Sequence, residues 1–594
     1  MPLLDGLKRT ARTARPLSSG SAQAAAAPAL VAAPTSFGDL HPKRKIITMV
    51  GVILAMLLAA LDQTIVGTAL PRIVRELGGA DHFTWVVTAY MLASTVTVPI
   101  YGKLSDLYGR KWFFFSGIII FLIGSVLCGL SQNMVQLIAF RALQGIGGGA
   151  IMGNAFAIIG DLFAPAERAR WQGVLGGVFG LASVIGPALG GFLTDHASWR
   201  AVFYVNIPLG LLALGFIGFL MPKVASTIKD KVIDYWGAGL LVTTLVPLLL
   251  ALSWGGREHA WSSKLIVELF VLGIVSLVGF IWAEQRAKEP IIPLSLFKNA
   301  VFTSSVTITF LTAAAMFGAI LYIPLFAQLV QGISATASGT ILTPLMVGLI
   351  GASVVAGQLI ARTGKYRFLA IGGTASLVGS LLWLSTITPD TSHIQLLAHM
   401  VALGVSLGLT MPVFNIAVQN AFEQSKIGVV TASTQLFRSV GGTVGTAVLG
   451  AIFSNTLAQK SASLTHTAYA QAASAGGVNV TDPNILQGLL SAEGQAKAQV
   501  ALAALPANVR AGAADSLAGF TAQARDMYAV SVGHLFLVSA GVAAVALVIT
   551  FFLREIPLKQ AKAARPVRQL EEAGEELAVE LGQAGAKDEP ILGR

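Results

Sequence analysis

Fourteen apolar runs constrain this chain more than any other feature. They lie near 46–68, 83–103, 112–130, 135–160, 171–193, 199–221, 235–253, 264–283, 301–325, 335–360, 368–388, 394–420, 428–453 and 530–553. Each approaches or exceeds the roughly 20 residues that carry an α-helix across a bilayer. Hydrocarbon offers backbone amides no water, so runs of this kind must satisfy their hydrogen bonds internally, as helices. Only 12% of the 594 residues are charged and 54% are hydrophobic, against about 25% charged in a soluble domain. That balance excludes a string of soluble domains and also a disordered chain. The fold class is an all-α membrane protein with 14 transmembrane helices.

An even number of spans puts both termini on one side. With that side cytoplasmic, 29 of the 40 Lys and Arg fall in inside segments, 9 in outside ones and 2, Arg141 and Arg438, within spans. Of the 29 acids, 18 fall inside, 9 outside and 2, Asp62 and Glu268, within spans. The whole net charge of +11 therefore sits on the inner face, as the positive-inside rule requires. It is an orientation signal and calls for no nucleic-acid partner. The reading is a multi-pass protein of the plasma (inner) membrane, of bacterial type, with the lipid bilayer as its surroundings.

An offset of 255 residues reveals an internal repeat. Gly102, Leu104, Gly109 and Arg110 return as Gly357, Leu359, Gly364 and Lys365, and Gly173, Gly186 and Gly190 return as Gly428, Gly441 and Gly445. Two six-helix halves with two helices between them, a 6+2+6 plan, explain this most simply. Parallel repeats are a known transporter design, with the substrate site at their interface. The expected divisions are a disordered cytoplasmic tail 1–45, an N-terminal bundle 46–221, two inserted helices and linkers 222–299, a C-terminal bundle 300–553 and a cytoplasmic tail 554–594. Residues 454–529 form an external loop whose periodicity around 486–503 suggests short amphipathic helices. It contains the triplet Asn479-Val480-Thr481, a pattern common by chance.

The second inside turn reads Gly102-Lys-Leu-Ser-Asp106-Leu-Tyr-Gly109-Arg110-Lys111. Its glycines permit a tight reversal, and Asp106 can pair with Arg110 or accept bonds at a helix N-terminus, latching one bundle to the other. This turn resembles the signature loop between helices two and three of the major facilitator superfamily. Three further segments are similar to the 14-helix drug:proton antiporters within it: Leu61-Asp62-Gln63-Thr64-Ile65-Val66-Gly67-Thr68-Ala69-Leu70-Pro71, Arg141-Ala-Leu-Gln144-Gly145, and Gly173 with Gly186-Pro187-Ala188-Leu189-Gly190-Gly191. The stretch Trp199-Arg200-Ala201-Val202-Phe203-Tyr204-Val205-Asn206-Ile207-Pro208 is similar too. Departures are Leu107 for a basic residue, Gly67 for asparagine, Ala182 for glycine and Ala361 for the aspartate of the second-half turn, which should latch more weakly.

The resemblance implies two pseudo-symmetric six-helix bundles and an exporter exchanging external protons for hydrophobic or cationic compounds. Asp62 and Arg141 are the candidate proton-coupling pair. A charged carboxylate within a span costs about 2.5–3.5 kcal/mol, which suits a group that takes up a proton. Counted along their helices at ~1.5 Å per residue, the two lie at similar depth in the outer half. Arg438, near the middle of its span, and Gln144 are the candidate cavity residues. Gly102, Asp106, Gly109 and Arg110 form the candidate gating loop. Gly173, Gly186, Pro187, Gly190 and Gly191 form the antiporter helix motif. Glu268 and His399 lie close to span ends and read as membrane-edge residues.

Several classes fall away. No GxxxxGK[ST] loop is present for an ATP-driven pump, and Gly145-Ile-Gly147-Gly148-Gly149 lies inside a span, where small residues serve helix packing. The eight histidines lack paired metal-ligand spacing, and the single cysteine, Cys128, can form neither an intrachain disulfide nor a zinc site. No cofactor and no catalytic residue is expected. Beside a multidrug exporter stand two alternatives, an exporter of one endogenous metabolite, lipid or siderophore, and a membrane receptor or scaffold on a transporter fold.

Overall fold

The computed structural model describes residues 40–77, 85–223, 231–256, 258–333, 341–461, 464, 467, 469–471, 483–490, 492–503 and 507–558. Most of both expected tails and the Asn479 triplet lie outside the described residues. Within them, 14 helices are long and apolar enough to cross a membrane. The first half holds α1 (Pro42–Leu77), α2 (Trp85–Tyr108), α3 (Arg110–Leu130), α4 (Met134–Leu162), α5 (Pro165–His196) and α6 (Ala201–Leu220). Next come α7 (Tyr235–Trp254) and α8 (Lys264–Arg286). The second half holds α9 (Ala300–Leu329), α10 (Thr343–Thr363), α11 (Arg367–Leu384), α12 (His393–Ala421) and α13 (Ile427–Ser461). Two short helices, α14 (Pro483–Leu490) and α15 (Ala492–Ala503), precede α16 (Ala507–Phe551), which contains the last span. The face at which α1 begins and α16 ends is called the terminal face below.

Each half closes around its own core. Phe114, Phe121, Ile151 and Ile159 are fully buried in the first, and Phe326, Leu377, Leu403 and Phe536 are 0–1% exposed in the second. The repeat is visible in the backbone. Gly109 and Gly364, equivalent at the 255-residue offset, both take positive φ, 104° and 67°, a conformation glycine adopts without steric cost. The glycine sets of α5 and α13 also play matching parts. Gly186 and Gly190 lie against Thr64 and Thr68 of α1, while Gly441 and Gly445 lie against the backbone at Phe310 and Ala314 of α9. At their terminal ends the two helices cross to the other half: Gly173 meets Ser353 of α10, and Gly428 meets Asp106 of α2.

The inserted pair α7–α8 packs on one flank of this dimer-like core. Leu241, Leu245 and Leu249 share a buried cluster with Val96 of α2 and Leu436 of α13. Its outer surface is apolar and aromatic, with Trp236 and Trp282 exposed, and the Arg286 guanidinium lies 4.1 Å from the Trp282 ring centroid. Such amphipathic rings at helix ends mark the bilayer interface. The linker after α8 is strapped down by Glu284, whose carboxylate accepts bonds from the backbone N–H groups of Ile291 (3.1 Å) and Ile292 (3.2 Å).

Two expected boundaries move. α13 runs to Ser461, and the span placed at 530–553 is the membrane part of a 45-residue helix beginning at Ala507. The extensions persist because they have something to bury. Leu457, Leu464, Leu486, Leu490 and Phe520 belong to the same cluster as the second-half core, and the rings of Tyr469 and Phe520 are 5.0 Å apart. Much of the region read as an external loop is thus a small helical cap.

Candidate functional site

Asp62 and Arg141 meet. Burial leaves them 0% and 1% exposed, with Arg141 Nη1 2.6 Å from Asp62 Oδ2. The other carboxylate oxygen accepts from Gln144 Nε2 (2.8 Å) and Asn206 Nδ2 (2.9 Å). Gln144 turns its own carbonyl to Arg141 Nη1 (2.7 Å), Arg141 Nε donates to the Val86 carbonyl (3.1 Å), and the Tyr90 ring lies under the guanidinium at 4.3 Å. Asn206 is held in turn by Ser125 (3.0 Å). Four helices, α1, α3, α4 and α6, therefore supply one polar cluster inside an apolar bundle, with α2 closing it through Val86 and Tyr90. Buried charge of this kind is tolerable only when every partner is in place.

One expectation changes here. Gln144 does not line the central cavity. It stands three residues after Arg141, and helical residues at that spacing share a face, so it joins the ion pair. His399 keeps its place near a span end, in the second turn of α12, but is buried there: it is 4% exposed, with Nδ1 2.5 Å from the Gln395 carbonyl and Nε2 3.2 Å from that of Trp383 at the end of α11. Glu268 does lie at the rim, with its side chain 61% exposed and 3.8 Å from Lys264. Asn206 and Tyr90 were not singled out by sequence. Asn206 is nonetheless the polar residue in the apolar part of the Trp199–Pro208 stretch.

The second constellation lies at the terminal face. Asp106 pairs with Arg110, and its Oδ2 accepts the backbone N–H of Val429 (2.9 Å), in the first turn of α13, where the helix dipole favours an anion. Arg110 also reaches Ser105 (2.6 Å) and Asp161 at the end of α4 (2.7 Å). Asp161 continues across the bundles, accepting from Gln424 Nε2 (2.9 Å). Gln172 donates to Gln419 (3.3 Å), and Arg168 to Gln424 (3.4 Å). Burial pushes the Arg168 guanidinium down to about 10, which leaves it charged at neutral pH. Gly102 allows the approach, since a Cβ there would strike Ala432. Six hydrogen bonds that join the two halves lie together at this face. It is a clasp. Asp161 and Gln424 escaped notice because a polar residue at a span end looks like any interface residue.

The third element is a cavity of about 660 Å³ between the halves. It extends from Gln172 and Asn415, near the clasp, to Ser454 and Asn455 toward the far end of α13. Its walls include Met91, Met152, Phe156, Phe179, Phe317 and Trp261. Arg438 lines it, with Nη1 3.0 Å from Gln435 Oε1. Gln63 lines it too, whereas Asp62 does not; adjacent helical residues point about 100° apart, so one faces the cavity and the other the bundle interior. The molecule is closed at the terminal face and hollow toward the opposite one.

Of the remaining motif residues, Gly109 makes the turn after α2, and Pro187 and Gly191 lie within an uninterrupted α5. Trp199 is fully buried, and its indole N–H donates to Glu76 (2.8 Å), which also accepts from Arg72 (2.8 Å).

Comparison with known proteins agrees with this architecture. The sequence pattern of the family described as Major Facilitator Superfamily matches residues 52–446. The chain is 46% identical over 409 residues to the multidrug transporter protein MdtP of Bacillus subtilis, covering 69% of this chain and 75% of that one. It is 41% identical over 435 residues to multidrug resistance protein 3 of the same organism, covering 73% and 85% respectively. Among solved structures, the proton:xylose symporter XylE aligns with a TM-score of 0.56 at 12% identity, over 87% of this chain and 98% of that one. At that identity the likeness concerns the fold.

Proposed function

The chain belongs to the major facilitator superfamily of membrane transporters, not to an enzyme family, and on that premise we propose that it is a proton-coupled exporter of hydrophobic drug-like compounds. The terminal face is assigned to the cytoplasm of a bacterial inner membrane, because the chain's surplus of Lys and Arg lies there. The arrangement is then an outward-facing carrier, clasped inside and hollow outside. Alternating access would rock the first half against the second, opening the clasp as the outer mouth closes.

The observation that carries the reading is the Asp62–Arg141 pair, buried in one bundle beside the cavity. Three donors hold the carboxylate. A proton arriving from outside would remove the charge they hold and leave Arg141 uncompensated, so proton uptake and a rearrangement of α1 against α4 and α6 become one event. Release of that proton toward the cytoplasm restores the pair and resets the carrier. Each proton crossing 100 mV supplies about 2.3 kcal/mol, before any pH gradient. The relatives named for multidrug transport and resistance point to drug-like cargo. Efflux of a hydrophobic dye should collapse with an uncoupler, and Asp62→Asn should abolish the response to the proton gradient. Full proton-coupled export by Asp62→Asn, or efflux indifferent to the gradient, would overturn the reading.

A further inference from the structure

The cavity has an electrostatic character that neither fold nor relatives specify. Among the described residues that line it, Arg438 alone is charged, and none is Asp or Glu. Its recorded partner is the neutral Gln435 amide, and no carboxylate lies within ion-pair distance of it among the described residues. Asp62 of α1 does not line the cavity, and its carboxylate is held by Arg141, Gln144 and Asn206. While the outer mouth is open, water can solvate the guanidinium. Once the cavity closes around cargo that solvation is lost, and an uncompensated cation inside the membrane becomes costly.

From this geometry, and resting on the export reading above, we propose that the preferred cargo is an amphipathic organic anion. Its hydrophobic body packs on the methionine and aromatic walls, and its carboxylate, sulfonate or phosphate engages Arg438. The guanidinium is planar, always charged and presents paired donors that match such groups. Lipophilic cations are the disfavoured class, since they would add like charge to a space that supplies no acid. This keeps the hydrophobic part of the sequence expectation and departs from its cationic part.

The test uses three probes sharing one body: pyrenebutyrate, its N-methyl amide and pyrenebutyl-trimethylammonium. Binding to the purified full-length protein is read by energy transfer from tryptophan to pyrene, for which Trp261 in the cavity wall is a built-in donor. Transport of the same probes is read in proteoliposomes with an imposed proton gradient. The carboxylate should bind roughly tenfold or more tighter than the amide, as a hydrogen-bonded charge allows, and the ammonium weakest. Arg438→Gln should collapse the carboxylate-to-amide ratio toward one, and Arg438→Lys should retain part of it. A ratio unchanged by Arg438→Gln, a preference for the ammonium, or no binding of any probe would overturn the proposal. Anion-selective binding without proton-driven transport would leave it standing and overturn the export reading instead. Proton-driven transport without anion preference would do the reverse.

Discussion

Removing the Asp106 side chain should unfasten the molecule, by an amount the structure allows one to work out. Only differences between the clasped and unclasped states matter. The pairs of Arg110 with Asp106 and Asp161 lie within the first half and survive opening, so they cancel. What Asp106 adds to the clasped state is one charge-assisted bond from the Val429 N–H at 2.9 Å. Hydrogen bonds to charged groups contribute about 1.5–3 kcal/mol, which corresponds to a ten- to 150-fold shift in population. Asp106→Ala should therefore raise the unclasped fraction by about that factor. Asp106→Asn keeps an acceptor oxygen and, at roughly 0.5–1.5 kcal/mol for a neutral bond, should give an intermediate effect. Thr431→Cys supplies the reporter. Thr431 is 3% exposed at the clasp, where it accepts from Gln419 (3.1 Å), and the native Cys128 is fully buried. When unclasping is rare, maleimide labelling of Thr431→Cys proceeds in proportion to the unclasped population. Labelling accelerated less than twofold by Asp106→Ala, or slowed by it, would refute the argument.

Two further expectations concern charged groups elsewhere. Arg141→Ala strands the Asp62 carboxylate in an apolar bundle and should cost about 3–5 kcal/mol of stability. The double variant Asp62→Asn, Arg141→Ala should recover part of that loss in a thermal unfolding assay; a double variant less stable than the single would contradict it. On the opposite face, hydrogen bonds from Arg72 and then Trp199 hold the Glu76 carboxyl below the ordinary glutamate range. A carboxyl lowered in the folded state contributes stability above its unfolded value and loses it as pH falls through the folded one. Acidification should thus loosen the Glu76–Trp199 contact and change Trp199 fluorescence, and Glu76→Gln should remove that transition.

Much of this architecture is legible in the sequence because its causes are local and repetitive. A span needs only an unbroken apolar run, so all fourteen could be counted. The 255-residue repeat survives because Gly109 and Gly364 meet the same backbone demand, a positive φ. Depth along a helix is also additive, which is why Asp62 and Arg141 could be put at one level. Rotation about the helix axis is harder to read. Gln144 went to the cavity although its spacing from Arg141 ties it to the same face, and nothing in the linear pattern says that Gln63 faces the cavity while Asp62 faces inward. Partners distant in sequence are harder still. Asn206 reaches Asp62 across 144 residues, and Gln424 reaches Asp161 across 263. Helix ends outside the bilayer escaped for another reason: α13 and the start of α16 are prolonged by packing against the cap, which the composition of either segment alone does not disclose.

The clasp is lopsided in a way that bears on how cargo arrives. On the α2–α13 seam the halves are joined by the Asp106 bond and braced by α7 and α8. On the pseudo-equivalent α5–α10 seam, Ala361 stands where an acid would make the matching bond, and Arg168 and Gln172 of α5 reach the amides of Gln424 and Gln419 instead. The two added helices cover the α2–α13 seam, so a membrane-dissolved molecule should reach the junction of the halves from the other flank, beside α5 and α10. They act as a doorpost, setting the side from which the membrane is sampled.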